Sequence, residues 1–372
     1  MRPLKQLCDP IHAICRLDLS IPASCVDYGS NLLFMKAVKT LKALVSAGHA
    51  VLIVSHRGHP NLSCPAGCDS LLPLLPALEQ VCGKKIHWLP DWPQQAWRPS
   101  LGQVYLAENT RLLAGELNCH PELVAKMIKG VDAIVYDALS VAHMAHASTS
   151  GLTQSSLPVY SGLAFEYEWQ AFMPSDLIGS GCGFILGGSS PQAKITLLPA
   201  LAERFDWVMV AGMLLPNFIR AYQDKCVTDD DYIAKWLLSK QNIHVPLDVR
   251  TYDGSYMGLG EVNKPADVCD IGPKTIAWWR DVVRHSLHVM WYGPVGFHEF
   301  VHGKDGSLAL FQELSQSSGI SMLLGYDTVA LCQAAGYLND IDQYSFAGEA
   351  LLNAMLDKPM VALKRDKYEQ TN

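Results

Sequence analysis

The chain has 372 residues, enough for two hydrophobic cores of roughly 180 residues each. Hydrophobic residues make up 49% of it and charged residues 17%, which excludes a mostly disordered protein. Basic residues number 29 against 36 acidic ones, a formal net charge of -7 with no long Lys/Arg run; no nucleic-acid or membrane partner is expected, and an anionic ligand must be held by a local basic cluster.

Short β-branched or apolar runs alternate with longer amphipathic stretches, the pattern of repeated βαβ units around parallel sheets. In the first half the expected strands are Ala13–Asp18, Val51–His56, Lys85–Leu89, Val104–Glu108 and Ala133–Leu139, with helices over Asn31–Ala47 and Leu71–Val81. In the second half they are Cys182–Gly188, Trp207–Gly212, Ile243–Asp248, His288–Gly293 and Ser321–Asp327. The fold class is therefore α/β, two doubly wound (Rossmann-like) parallel-sheet domains, with residues 1–164 and 184–350 as the domains. A helix over Ser161–Pro174 and a Gly/Ser-rich stretch over Ser175–Gly183 place an interdomain helix and linker at 165–183, and 351–372 form a C-terminal tail. Ligands of open α/β sheets bind beyond the carboxyl ends of the strands, where Asp18, His56, Glu108, Asp137, Gly187, Gly212, Asp248, Gly293 and Asp327 recur.

Eleven cysteines are scattered without a dense framework and read as reduced. His56, His59, Cys64 and Cys68 are candidate zinc ligands by type, but their spacing is not a standard finger or ribbon. The tryptophans Trp88, Trp92 and Trp97 mark either a partner surface or the packing of a long loop, packing being the expectation. Met1–Pro10 has no continuous apolar run, so a cytoplasmic protein is expected, and a monomer.

Arg16-Leu-Asp-Leu-Ser-Ile-Pro22, Ser55-His-Arg-Gly-His-Pro60 and Glu108-Asn-Thr-Arg111 follow successive strands. Ala142-His-Met-Ala-His-Ala-Ser-Thr149, Ile185-Leu-Gly-Gly188, Asp270-Ile-Gly-Pro-Lys-Thr-Ile276 and Trp291-Tyr-Gly-Pro-Val-Gly-Phe-His-Glu299 come later. In this order and spacing the set resembles the motifs of the phosphoglycerate kinase family over nearly the whole chain. The resemblance implies two domains joined by a hinge helix, the first holding 3-phosphoglycerate and the second Mg-ATP or Mg-ADP. It also implies a tail that returns to the first domain.

Carried over position by position, the resemblance assigns the acid site to Arg16, Asp18, His56, His59, Arg111, His143 and His146. Of the family's five arginines only Arg16 and Arg111 are kept; Leu33, His59 and Met144 stand at the other three positions, and Ser20 replaces an Asn. A substrate carrying a carboxylate and a phosphate needs fixed cations, and His59 supplies one only when protonated. For transfer, the family's two lysines map onto Ser190 and Lys194, so Arg111 and Lys194 are the candidate catalytic cations, with Leu33 and Ser190 where the family has Arg and Lys. Gly187, Gly188, Lys194, Gly212, Pro294 and Glu299 are the candidate nucleotide site, and Asp327 the candidate Mg²⁺ ligand. Tyr292 replaces an Asn, Leu324-Gly-Tyr326 a glycine triplet, and Ala347-Gly-Glu349 another.

Phosphoryl transfer depends on positive charge around the moving group, so these losses predict that ATP/ADP and 3-phosphoglycerate chemistry is lost or very weak, with residual binding of a small anion or nucleotide. Two alternatives stand beside this reading. One is a working kinase whose site is repaired by Arg220 or Lys274, and the other is a kinase of a different small carboxylic acid. Mg²⁺ with ATP or ADP is the expected cofactor only where nucleotide binding is retained.

Overall fold

A computed structural model describes residues 1–60, 67–94, 97–173 and 181–363, with Cys68 described by its backbone alone. The chain divides into two compact units, Met1–Phe172 with Glu349–Asn372, and Met173–Gly348. Its strands are β1 (Arg2–Pro3), β2 (His12–Leu17), β3 (Ala50–Val54), β4 (Ile86–Leu89), β5 (Val104–Ala107), β6 (Ala133–Asp137), β7 (Val159–Ser161), β8 (Cys182–Leu186), β9 (Trp207–Val210), β10 (Ile243–His244), β11 (Asp248–Thr251), β12 (Tyr256–Gly258), β13 (Val268–Ile271), β14 (His288–Tyr292), β15 (Ile320–Leu324) and β16 (Gln343–Ser345). Its α-helices are α1 (Leu32–Ser46), α2 (Leu75–Cys82), α3 (Pro121–Met127), α4 (Leu163–Phe172), α5 (Pro191–Ile195), α6 (Leu198–Arg204), α7 (Leu215–Tyr222), α8 (Asp229–Leu237), α9 (Pro273–Arg284), α10 (Asp305–Leu314), α11 (Tyr326–Ala334) and α12 (Gly348–Met355).

The first unit is built on a parallel sheet of order β1-β7-β6-β2-β3-β5-β4. Strand β3, Ala-Val-Leu-Ile-Val, is buried throughout, as a strand covered on both faces must be. Helix α1 starts where the side chain of Asn31 accepts a hydrogen bond from the Phe34 amide (3.1 Å), satisfying one of its orphan donors. Because β6, β2, β3 and β5 are neighbours, their carboxyl ends bring the loops after Asp137, Leu17, Val54 and Ala107 together.

The second unit has a parallel sheet of order β10-β9-β8-β14-β15-β16, whose central strands deliver the loops after Leu186, Val210, Tyr292 and Leu324 to one edge. Its core includes Trp291 stacked on Phe311 at 4.3 Å between ring centroids. A separate antiparallel sheet, β12-β11-β13, was not expected from the sequence. It corrects the single strand expected over Ile243–Asp248: Ile243 and His244 pair with β9, and Asp248 opens β11. Pro246 lies between the two, and a residue without an N–H cannot continue a ladder.

Other elements also differ from expectation. Ser161 belongs to β7 and the following helix runs only over Leu163–Phe172; the linker expected over Ser175–Gly183 lies mostly outside the described residues. The helix expected over Leu71–Val81 opens as a 3₁₀ turn at Leu72–Leu74, because Pro73 and Pro76 suit only the start of a helix. Trp92 and Trp97 are buried, which is packing rather than a partner surface.

Candidate functional site

In the first unit the expected acid-site residues fall at the carboxyl ends of β2, β3, β5 and β6 or in the loops after them. Arg16 is 1% exposed. Its Nε donates to Ser148 Oγ (3.2 Å), its Nη2 lies 3.1 Å from His56 Nδ1, and Nη1 donates to the carbonyl of Leu17. Ser148 Oγ and its amide in turn donate to the buried carboxylate of Glu116, at 2.5 and 3.0 Å. Arg111, 6% exposed, gives Nη1 to the Gly58 carbonyl and to His59 Nδ1 (3.1 Å) and Nη2 to Met144 Sδ (3.7 Å). Its Nε is buried without a partner, as is Nδ1 of His143. Asp18 accepts from Ser140 Oγ and from the Ser20 amide (3.2 Å).

The histidines add no charge at neutral pH. Burial, reinforced by Arg16 and Arg111, holds His56 well below the usual histidine range. Burial and then Arg111 lower His59, and burial with both arginines brings His146 down to about 4. Burial also lowers His143, against the pull of Glu349, whose carboxylate stands 3.9 Å from Nε2. Arg16 and Arg111 are thus the fixed cations among these residues, and both are spent largely on the protein's own acceptors. Leu33 is packed in the core on α1. Of the four candidate zinc ligands, His56 and His59 face arginines and Cys64 lies outside the described residues.

In the second unit a cleft of about 140 Å³ is lined by Gly188, Gly212, Pro294, Glu299 and Asp327, together with Met213, Phe297 and His298. The loops interlock through backbone bonds: Gly188 N to Pro294 O (2.7 Å), Gly212 N to Val295 O (3.0 Å) and Met213 N to Gly188 O (3.0 Å). Gly212 has φ +59°, and a Cβ there would meet Gly188 N at 2.5 Å, so no other residue fits. Asp327 is exposed in the first turn of α11, where the helix dipole favours a carboxylate.

Lys194 is not part of this lining. It is 5% exposed, its Nζ donates to the Gly187 carbonyl at 2.6 Å, and it lies 4.3 Å from the centroid of the Tyr292 ring. That ring fits because Gly325 and Gly348 have no side chains; a Cβ would come within 2.7 and 2.4 Å of it respectively. Ser190 caps the start of α5 in the left-handed region, φ +61°, just before Pro191. Thr328 accepts from the Gly293 amide (2.8 Å) and so braces the loop.

Arg220, expected as a stand-in cation, has its Nε and Nη2 on both carboxylate oxygens of Asp231 at 2.7–3.0 Å. Lys274 is an exposed residue in the first turn of α9. The sequence reading missed Glu116 and Ser148 beneath Arg16 and the Tyr292 cover on Lys194. Nothing in spacing signals either; the one available hint was a large aromatic residue in a chain region that also keeps Gly325 and Gly348.

The sequence model described as phosphoglycerate kinase matches residues 11–358. Among similar proteins, a phosphoglycerate kinase of Desulfovibrio desulfuricans is 29% identical over 95% of this chain and 96% of its own. One from Francisella tularensis subsp. novicida is 27% identical over 94% and 93%. Solved phosphoglycerate kinase structures from Pyrococcus horikoshii (TM-score 0.79, 22% identity, 98% of each chain) and Coxiella burnetii (0.76, 24%, 96% of each) share the fold. With the matched region spanning nearly the whole chain and both parallel sheets in place, this protein belongs to the phosphoglycerate kinase family.

Proposed function

We propose that this chain is a phosphoglycerate-kinase-like protein in which phosphoryl transfer between ATP and 3-phosphoglycerate is lost or very weak, and whose remaining role is ligand binding. The observation that carries the reading is the state of Lys194, the one lysine kept from the pair that the family brings to the phosphates: its amine is bonded to Gly187 O and covered by the Tyr292 ring. Transfer relies on cations aimed at the moving group, and losing one such donor costs roughly 10²–10³ in turnover. In the acid site Arg111 would provide the one partly unpaired guanidinium, which suits a small anion better than a doubly anionic acid.

Mg²⁺ binds through one or two carboxylates plus substrate phosphates. Asp327 supplies such a carboxylate, but a cleft lined by no Lys or Arg among the described residues, with Lys194 covered, does not fit a Mg-nucleotide held through its phosphates.

The test is a coupled kinase assay on the purified chain beside the double variant Leu33→Arg, Ser190→Lys. The expected wild-type turnover lies at least about 100-fold below the ~1–100 per second usual for kinases. Turnover within that range sinks the proposal, and partial rescue in the double variant attributes the loss to these two positions.

A further inference from the structure

We propose that Tyr292 is a built-in plug over the phosphate seat of the second unit, and that the cleft beside it takes a ligand without phosphate, of the nucleoside class, in preference to a nucleotide. The inference rests on the reading of that cleft as the family's nucleotide site and deepens it by naming the ligand class.

The charge pattern comes first. The cleft presents two exposed carboxylates, Glu299 and Asp327, and its lining includes no Lys or Arg among the described residues. A di- or triphosphate placed there meets like charge, with no fixed cation to offset it. The nearby amine that carries positive charge, Lys194, lies beside the lining residue Gly188 but is engaged by the protein: it is 5% exposed, bonded to the Gly187 carbonyl at 2.6 Å and faces the Tyr292 ring at 4.3 Å. A cation over an aromatic face in a dry setting is held by the ring's quadrupole, so the ring and the Gly187 carbonyl compete with a phosphate for this amine.

The ring is a fitted part of the unit. Gly325 and Gly348 approach the Tyr292 ring so closely that a Cβ at either would meet it at 2.7 or 2.4 Å. The ring therefore fills a space walled by glycine backbone on two sides.

What remains suits an uncharged ring compound carrying hydroxyls. Phe297, Met213 and Pro294 offer apolar surface for the face of a planar base. Gly188 and Gly212 allow close approach to backbone, and the Glu299 carboxylate accepts from vicinal hydroxyl donors.

Calorimetry on the full chain with adenosine, ADP and Mg-ADP tests this. Wild type is expected to bind adenosine at least as tightly as ADP, with Mg²⁺ giving no gain. Tyr292→Asn opens the seat and should shift the preference toward ADP by tenfold or more; Lys194→Met in that background should remove the shift. Should Tyr292→Asn fail to fold, mass-mapped acylation of native wild type gives an independent reading: Lys194 should react far more slowly than exposed lysines such as Lys274, and adding ADP should not change its rate. Tenfold tighter wild-type binding of Mg-ADP than of adenosine, protection of Lys194 by ADP, or binding of none of the three ligands overturns the proposal. Tight Mg-ADP binding without turnover would sink this inference alone, whereas turnover in the coupled assay would sink the functional reading.

Discussion

Asp137 offers a quantitative test of how the first unit is held together. Its carboxyl is 3% exposed at the end of β6; Oδ2 accepts from Thr40 Oγ1 on α1 (2.5 Å) and Oδ1 from the Phe165 amide in the first turn of α4 (2.7 Å). Thr40 Oγ1 also accepts from the Leu163 amide (2.8 Å), and Gly162 lets the carboxyl lie flat against the chain, since a Cβ there would meet it at 2.2 Å. One acid thus ties a strand to two helices. Burial raises its pKa to about 7, the Thr40 and Phe165 hydrogen bonds only partly opposing the shift.

A carboxyl with a folded-state pKa above its unfolded value keeps its proton in the folded state while the unfolded chain ionises. Its contribution therefore falls as pH rises from about 4 to about 7 and is level outside that window. At ~1.36 kcal/mol per pH unit, the full change is roughly 4 kcal/mol. The lowered histidines of the same unit act in the opposite direction, losing stability as pH falls, so the raw wild-type curve mixes both effects. Asp137→Asn keeps an acceptor for Phe165 and cannot ionise, so subtracting the two curves isolates the acid. Urea unfolding followed by tryptophan fluorescence from pH 4.5 to 8 should show Asn gaining on Asp as pH rises. With m near 1–3 kcal/mol/M the relative midpoint should move by at least about 1 M. A difference that is flat across the window, or that falls with pH, refutes the account.

Two further outcomes follow from the same physics. Because His146 is held down at about 4, and His56 and His59 below their ordinary range, binding of 3-phosphoglycerate measured by calorimetry should not strengthen between pH 8 and 6; a tenfold gain there would mean that these rings do become cations. Arg220→Ala removes the charged partner of buried Asp231, which keeps donors from Asn217, Val227 and Thr228, and should cost about 1.5–3 kcal/mol in thermal or urea unfolding, while leaving residual turnover per folded molecule unchanged, since its guanidinium is committed to that carboxylate.

The parallel sheets were legible because their strands are short apolar runs at regular distances, and β3 is buried along its whole length as that pattern requires. The residues at the strand ends were legible as well: chain order puts Gly188, Gly212, Pro294 and Asp327 at the ends of neighbouring strands, and they do line one cleft. The antiparallel sheet was not legible. Its three strands are only three or four residues long, and Pro246 between Ile243–His244 and Asp248–Thr251 does not by itself reveal that the chain changes sheet. The partners of the buried cations were hidden for another reason. Glu116 and Ser148 reach Arg16 across 100 or more positions of sequence, and the ring of Tyr292 reaches Lys194 from a different strand end. Pattern reading finds what lies along one element, whereas these contacts come from the juxtaposition of loops.

That juxtaposition changes what a retained residue means. A lysine or arginine kept from an enzyme's site is ordinarily read as kept for chemistry. Here Arg16 holds Ser148 and His56, Arg111 holds the Gly58 carbonyl and His59, and Lys194 holds the Gly187 carbonyl beneath an aromatic ring. Truncating Arg16 or Lys194 would leave buried acceptors unpaired, at about 1–3 kcal/mol for each group, whereas the Gly58 and His59 acceptors of Arg111 are exposed to water. Against a net stability of ~5–15 kcal/mol for an ordinary domain, that cost alone suffices to retain Arg16 and Lys194. Residues whose only work is done on substrate have no such second hold, and on the proposed reading Leu33 and Ser190 stand at two positions that the resemblance aligns with family cations. On that reading, Arg16 and Lys194 are residues the folded chain itself needs, whatever becomes of the chemistry.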